Sequence, residues 1–456
     1  MRSTERAVRR TAALLAGLVL GTMLVAYGVA DRSVVGLPTA AGPDNGSSQP
    51  ALEHEQEQAW VGSTLRRMTV QEKVGQLFVS VAYGERADAP DQRNRAEFGL
   101  DTAAELVGRY HLGGVVYFNW TSTLGSPQQV AELSNGLQRA ARGSGAGVPL
   151  LISTDQENGA IVRIGPPATL LPTAGDLGAA GSAEDARTAA EISGRELRAM
   201  GVNQDLAPVA DVNLNPSNPV LGARTFSADP AVAATMTGAQ VTGYQRSVAA
   251  TVKHFPGHGA TATDSHVALP VVDHDRAQWE RLDAPPFRAA VAAGVDVIMI
   301  GHIAAPGLDP SGQPATLSPV IVDGLLRREL GYHGVVMTDS LRMQGVRDVA
   351  SDERIPVLAL AAGADLLLMP ANLDVAYRSV LAAVRSGELT QARIDASVRR
   401  ILELKWRRGM VDDPLVDLGE LSSVVGSPEN RELASRLAAR PVVASPPEPP
   451  ASRGGR

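Results

Sequence analysis

The 456-residue chain contains no cysteine. Disulfides, thiolate metal ligands, a cysteine nucleophile and a lipid-modified cysteine are therefore excluded. Lysine is nearly absent, occurring only as Lys73, Lys253 and Lys405. Arginine carries almost all of the positive charge. A compact ammonium does a different job from a guanidinium fork, so a lysine inside a motif marks a position of interest. A basic surface is also missing: 42 Lys and Arg against 49 Asp and Glu leave a net charge of −7, and no nucleic-acid partner is expected. Histidine is sparse, with eight in all, yet His254, His258, His266 and His274 fall close together.

What is present is ordinary globular material, 44% hydrophobic and 20% charged, long enough for one large domain or two medium ones. At the N-terminus, Arg2, Arg6, Arg9 and Arg10 precede an apolar run from about Thr11 to Ala30. That pattern predicts an export signal over 1–30, either cleaved near Gly28-Val29-Ala30 or kept as a membrane anchor. The protein is thus expected to be secreted or anchored on the extracytoplasmic side, with membrane association through this segment only. Residues 31–56, rich in Gly, Pro, Ser and Asn, read as a flexible linker. A folded unit is expected over 57–412. Residues 413–456 read as an extension whose end, "SPPEPPASRGGR", has a disordered composition.

Within 57–412, short apolar runs alternate with helical stretches. The runs are "VGQLFVSV" (74–81), "GGVVYF" (113–118), "PLLISTD" (149–155), "VNQDLAPV" (202–209), "AATVKHF" (249–255), "VDVIMIGHI" (295–303), "GVVMTDS" (334–340) and "ADLLLMP" (364–370). Buried parallel strands have this form. Segments 130–142 and 183–200 have helical spacing. Eight such repeats predict a single (β/α)8 TIM-type barrel, an α/β fold, rather than a doubly wound sheet, which would want a Gly-rich phosphate turn after its first strand. In a barrel, functional groups gather at the C-terminal ends of the strands. The polar residues fall there: Asp155, Asp205 and Asp211, Lys253 and His254, His302, and Asp339.

"TVKHFPGHGATATDSH" (251–266) admits three readings: a metal site, a catalytic loop or a polar turn. Neutral imidazoles and a carboxylate suit zinc, but His254 and His258 flank Pro256 and Gly257, off a common helix face, and the spacing matches no recognised metal motif. A structural, hydrogen-bonded role fits His258, between two glycines, and competes evenly for His302. In the catalytic reading, Asp264 and His266 lie two apart on an extended loop and face the same side. The carboxylate would fix the imidazole tautomer and leave the other nitrogen for proton transfer. Asp339 would be a nucleophile, or alternatively a cap for the following helix.

"MTVQEKVGQL" (68–77), "DQENGAIVRI" (155–164), "LGARTFSADP" (221–230), "KHFPGHGATATDSH" (253–266) and "GVVMTDS" (334–340) together resemble glycoside hydrolase family 3, in its β-N-acetylhexosaminidase branch. The resemblance implies a retaining exo-β-N-acetylglucosaminidase acting on cell-wall fragments or chitin oligomers. Asp339 would be its nucleophile and Asp264–His266 its acid/base dyad. Asp155, Arg163, Arg224, Lys253 and His254 would bind the sugar. No metal, cofactor or macromolecular partner is implied, and a monomer is expected. The branch's Glu-Gly-Gly-Arg turn is replaced by Glu157-Asn158-Gly159-Ala160, although Arg163 is retained. The same resemblance leaves a β-glucosidase or a phosphorylase as alternatives, since a histidine donor repels phosphate less than a carboxylate would. Larger relatives append a further domain that completes their acid/base function. This barrel is expected to supply its own acid from a mobile 253–266 loop that closes over the sugar.

Overall fold

The computed structural model describes residues 49–441. The segments expected to be an export signal or anchor and a disordered end, and most of the expected linker, fall outside those residues. Eight parallel strands run in chain order: β1 (Phe78–Ser80), β2 (Gly114–Val116), β3 (Leu151–Thr154), β4 (Gln204–Asp205), β5 (Ala249–Phe255), β6 (Val297–Ile300), β7 (Val335–Thr338) and β8 (Leu367–Leu368). Each pairs with its sequence neighbour, and β8 returns to β1 through Val79 opposite Leu368. A bridge between Met337 and Leu366, with the Thr338 N–H donating to the Leu366 carbonyl at 2.9 Å, joins β7 to β8 and closes the ring. The eight-stranded barrel expected from the sequence is therefore the fold. Its strands are buried along their whole length, which is why they read as unbroken apolar runs rather than as alternation.

The outer helices follow from their spacing and caps. Ser126 caps Pro127–Arg142, which turns Val130, Leu133, Leu137 and Ala141 inward at intervals of three and four residues. Ser182 caps Ala183–Ala199 in the same way.

Three details differ from the sequence reading. The run 74–81 opens as the end of a helix, Val70–Gln76, because Thr69 and Glu72 form a capping box that starts a helix there. β4 is only two residues long, because Pro208 lacks the N–H that a longer strand would need. Residues 49–56 belong to the helix Gln49–Arg67 and not to a linker. The described part of the extension, which precedes the end expected to be disordered, is folded. In the helix Pro428–Ala438, Ala434 and Leu437 pack with Leu171, Leu177, Ala189 and Ile192. Buried Glu196 accepts the Gly426 N–H (2.9 Å) and the Asn430 side-chain amide (2.8 Å). Among the described residues, no helix is long and apolar enough to cross a membrane.

Candidate active site

At the C-terminal ends of the strands lies a cavity of about 420 Å³. Seven of the eight residues assigned from the sequence line it: Asp155, Arg163, Arg224, Lys253, His254, His266 and Asp339. Asp264 stands behind His266, outside the lining.

The floor is an ion-paired cluster. Lys253, near the end of β5, places its ammonium 2.7 Å from Asp155 Oδ1 and 2.7 Å from Glu157 Oε1. Arg224 grips both oxygens of Glu157, through Nε at 2.7 Å and Nη2 at 2.8 Å. Arg163 approaches Asp155 only loosely, at 3.5 Å, with its guanidinium 5.3 Å from the centre of the Phe118 ring. Burial alone would raise the Glu157 carboxyl, but Lys253 and Arg224 together bring it down to about 2. Burial likewise opposes the Lys253 charge, which Asp155 and Glu157 more than restore. At neutral pH Glu157 and Lys253 are thus both charged, and a fork and an ammonium present fixed donors to a polyhydroxylated guest.

The loop that carries Glu157 is pinned from below. Asp205 Oδ1 accepts the Gln156 N–H at 2.9 Å, while burial pushes the Asp205 carboxyl well above its ordinary range. At the loop's tip Asn158 and Gly159 have φ of 68° and 63°, a left-handed turn that Asn and Gly tolerate. Ala160, at the position of the branch's arginine, is exposed.

The histidines separate by their partners. His254 Nδ1 and the His258 N–H both point to buried Asp211, at 2.7 Å and 2.6 Å. His254 Nδ1 donates to this carboxylate, leaving Nε2 free toward the cavity. His258 is buried, with its ring held by Thr261 Oγ1 at 2.6 Å. His302 is buried too; its Nε2 donates to the Ser340 carbonyl at 2.9 Å and its Nδ1 meets Thr316 Oγ1 at 2.7 Å. It therefore holds the backbone beside Asp339 rather than facing the cavity.

Asp339 follows β7 directly. Its Oδ1 accepts the Ser340 N–H at 2.7 Å, and the next helix, Gln344–Arg347, has Met343 and not Asp339 at its cap position. Burial raises its carboxyl, but the neighbouring His254 and His302, the Ser340 N–H and Lys253 outweigh that and set it below the usual aspartate value. At neutral pH it is an ionised carboxylate facing the cavity.

Asp264 and His266 do meet, although not through an extended strand. Asp264 Oδ1 accepts both the His266 N–H (2.9 Å) and the His266 Nδ1–H (2.7 Å). The Val267 and Ala268 N–H groups then bond back to the Asp264 carbonyl. The pair is an Asx-type turn, in which a short carboxylate substitutes for a backbone acceptor. The Nδ1 bond leaves His266 Nε2 unencumbered.

Two contributors to the floor were not singled out from the sequence. Glu157 was read only as part of the turn; its signal was a second carboxylate two residues from Asp155, where neighbouring carboxylates need cations. Asp211 was placed near the fourth strand without a role, because its two histidine partners lie more than 40 residues away. The aromatic pair Phe118 and Trp120, stacked with centroids 5.4 Å apart, gave no signal in the sequence.

Fold and cavity together define a barrel with an ion-paired polar pocket, a cavity-facing carboxylate and a histidine–aspartate pair at its rim. The family model for the glycosyl hydrolase family 3 N-terminal domain matches residues 69–404, and the chain belongs to that family. It is 36% identical over 360 residues to beta-hexosaminidase A of Pseudoalteromonas piscicida, covering 74% of this chain and 59% of that protein's length. To a beta-N-acetylglucosaminidase/beta-glucosidase of Cellulomonas fimi it is 34% identical, covering 86% and 67%. A solved family 3 beta-N-acetylglucosaminidase from Paenibacillus sp. str. FPU-7 superposes with a TM-score of 0.75 at 43% identity, over 81% of this chain and 68% of that one.

Proposed function

We propose that the protein is a retaining exo-β-N-acetylglucosaminidase that removes terminal β-linked N-acetylglucosamine from cell-wall fragments or chitin oligomers. The observation that carries this reading is the convergence of the Asp339 carboxylate and the His266 ring, from β7 and from the loop after β5, on one ion-paired pocket. The names of the relatives support the choice of sugar.

The terminal ring docks on the floor, its hydroxyls meeting Asp155, Lys253, Arg163, Arg224 and His254. Asp339 attacks the anomeric carbon while His266 gives its Nε2 proton to the departing oxygen, forming a glycosyl ester and a free alcohol. Water then loses a proton to His266 and displaces Asp339, so the configuration is retained. A histidine suits the proton step because its reference pKa of about 6.5 needs little adjustment. Asp264 holds the ring through Nδ1 and stabilises the imidazolium that exists before the first step and is regenerated in the second.

The test of the nucleophile is a 2-deoxy-2-fluoro-glycosyl inactivator, expected to add one sugar to Asp339. Peptide mass spectrometry that finds the adduct elsewhere overturns the assignment. The Cellulomonas relative's double name favours β-glucosidase as a second reading, and a panel of aryl β-glycosides comparing N-acetylglucosaminide with glucoside separates the two. Release of sugar 1-phosphate in phosphate buffer would mark a phosphorylase. Export through residues 1–30 is part of the same proposal, tested by N-terminal sequencing of protein recovered outside the cell.

A further inference from the structure

Another cavity, of about 480 Å³, opens at the N-terminal ends of β7 and β8, on the face of the barrel opposite the sugar pocket. Arg327, Arg328, Arg393 and Arg400 line it, with His333 beside them, and Asp323 is the one carboxylate in the lining. The chain as a whole carries a net charge of −7, so four guanidiniums around one space run against its general balance.

Part of the cluster is structural. Asp365 lies buried behind the lining, just before β8. Its Oδ2 accepts Arg327 Nη2 at 2.5 Å and the Val336 N–H at 3.0 Å. Its Oδ1 accepts the Ser397 hydroxyl at 2.5 Å and Arg400 Nη1 at 3.0 Å. A carboxylate has about four acceptor positions, so Asp365 is saturated. It ties the start of β8 to the helix Gln391–Arg407, as expected of a face that serves stability.

The remaining positive charge has no such partner. Arg393 Nη1 stops 3.7 Å from Asp365, and its nitrogens donate instead to neutral acceptors: the Leu360 and Ala364 carbonyls and the Ser397 hydroxyl. Burial, with Arg400 and Arg327 pressing the same way, holds the Arg393 pKa below the usual arginine value against the pull of Asp365. The Arg400 side chain is 30% exposed, and its Nε and Nη2 have no partner among the described residues. A single carboxylate cannot neutralise three guanidiniums, and the uncompensated donors border the cavity.

We propose that this cavity binds a phosphoryl group, with Arg400 and Arg393 taking its oxygens and Arg328 standing at the rim. A tetrahedral group offers oxygens in several directions at once. That suits forks arriving from two elements, the helices Val320–Glu329 and Gln391–Arg407, better than a planar carboxylate does. The volume exceeds that of a bare ion and leaves room for a carrier, either a small phosphate ester in solution or the headgroup of an anionic phospholipid. The site is independent of the sugar chemistry at the other end of the barrel.

The test titrates the full chain with inorganic phosphate and with glycerol 3-phosphate by calorimetry, and floats it with phosphatidylcholine vesicles with and without phosphatidylglycerol. At low salt the wild type is expected to bind the free anions with a Kd of about 1 mM or tighter, or to float with the phosphatidylglycerol vesicles in excess of the neutral ones. Binding of the free anions identifies a soluble ester; binding to the vesicles alone identifies a headgroup. In whichever arm binding occurs, Arg400→Gln should weaken it by about tenfold, and rising salt should weaken it in the wild type. Arg328 is exposed and pairs only with exposed Asp323 among the described residues, so Arg328→Gln leaves folding intact and should weaken binding by about threefold. Arg163→Gln, in the sugar pocket, should leave the affinity unchanged. Binding that vanishes in Arg163→Gln and survives Arg400→Gln puts the anion in the sugar pocket and overturns the site. Absence of binding in both arms overturns it too, as does equal affinity in the wild type, Arg400→Gln and Arg328→Gln.

Discussion

Lys253 and Arg224 converge on Glu157 where neither cation reaches bulk water freely. Removing one member of a buried ion cluster leaves the others uncompensated, at a cost of roughly 3–5 kcal/mol. Glu157→Gln is therefore expected to lower unfolding free energy by about 3 kcal/mol in denaturant titration and to raise KM, because the two donors lose their fixed positions. A variant with wild-type stability would show that Glu157 does not organise the floor. His266 belongs to the same scale. As the proposed general acid it should matter most where the leaving group needs a proton, so His266→Ala should lose about 100-fold or more in kcat on a natural disaccharide and far less on an activated aryl glycoside. Equal losses on both substrates would assign it a different role.

The element that delivers His266 is the loop between β5 and the helix Arg276–Leu282. It is docked against the segment after β7: the Gly345 N–H donates to the Ser265 carbonyl at 3.1 Å and the Gln344 N–H to the His266 carbonyl at 3.4 Å. A Cβ at Gly345 would stand 3.0 Å from the Ser265 oxygen and 3.1 Å from the Ala268 oxygen. Gly345→Ala should therefore push the loop outward and move the proton donor relative to Asp339, since both descend from the same seam. The expected result is a fall of about tenfold in kcat on a disaccharide, given the sensitivity of catalysis to sub-ångström placement, with little change in melting temperature. A melting temperature that falls in step with kcat would indicate general unfolding instead. The elements themselves were largely legible. All eight apolar runs contain a strand, because strands buried on both faces leave an unbroken apolar signature. The dyad was legible as a pair, but its turn was not: Asp-x-His is compatible with an extended segment or an Asx turn, and the backbone bonds of the folded loop select the second.

For the molecule as a whole, the scarce lysines are informative. Lys253 lies in the pocket floor and Lys73 pairs with Asp395 at 2.8 Å. Lys405 is fully buried at the opposite end of the barrel, and among the described residues its ammonium bonds only to Gln76 Oε1, at 2.7 Å. Burial lowers its pKa to about 7. Between that value and 10.5 the unfolded chain binds a proton that the folded chain does not, so stability rises with pH across this window. Below about pH 7 the penalty is complete, on the order of 5 kcal/mol. Lys405→Met removes it but strands the Gln76 oxygen, at a cost of about 1–3 kcal/mol. The variant is expected to be more stable than wild type at pH 6, with the advantage vanishing near pH 9. Denaturant curves at the two pH values check this; a variant less stable at pH 6 contradicts the buried-charge account.

The sequence by itself determined the barrel and picked out Asp155, Arg163, Arg224, Lys253, His254, His266 and Asp339, which line one cavity at the strand ends. Burial of both strand faces and the local chemistry of Asp, His and Lys are written into neighbouring residues, and the family resemblance supplied the roles. Only the tertiary structure decided which charges neutralise one another: Glu157 between Lys253 and Arg224, Asp211 beneath His254 and His258, and Arg342 against Glu97. Those partners are separated by tens to hundreds of residues, and barrel closure is what brings them within hydrogen-bonding distance.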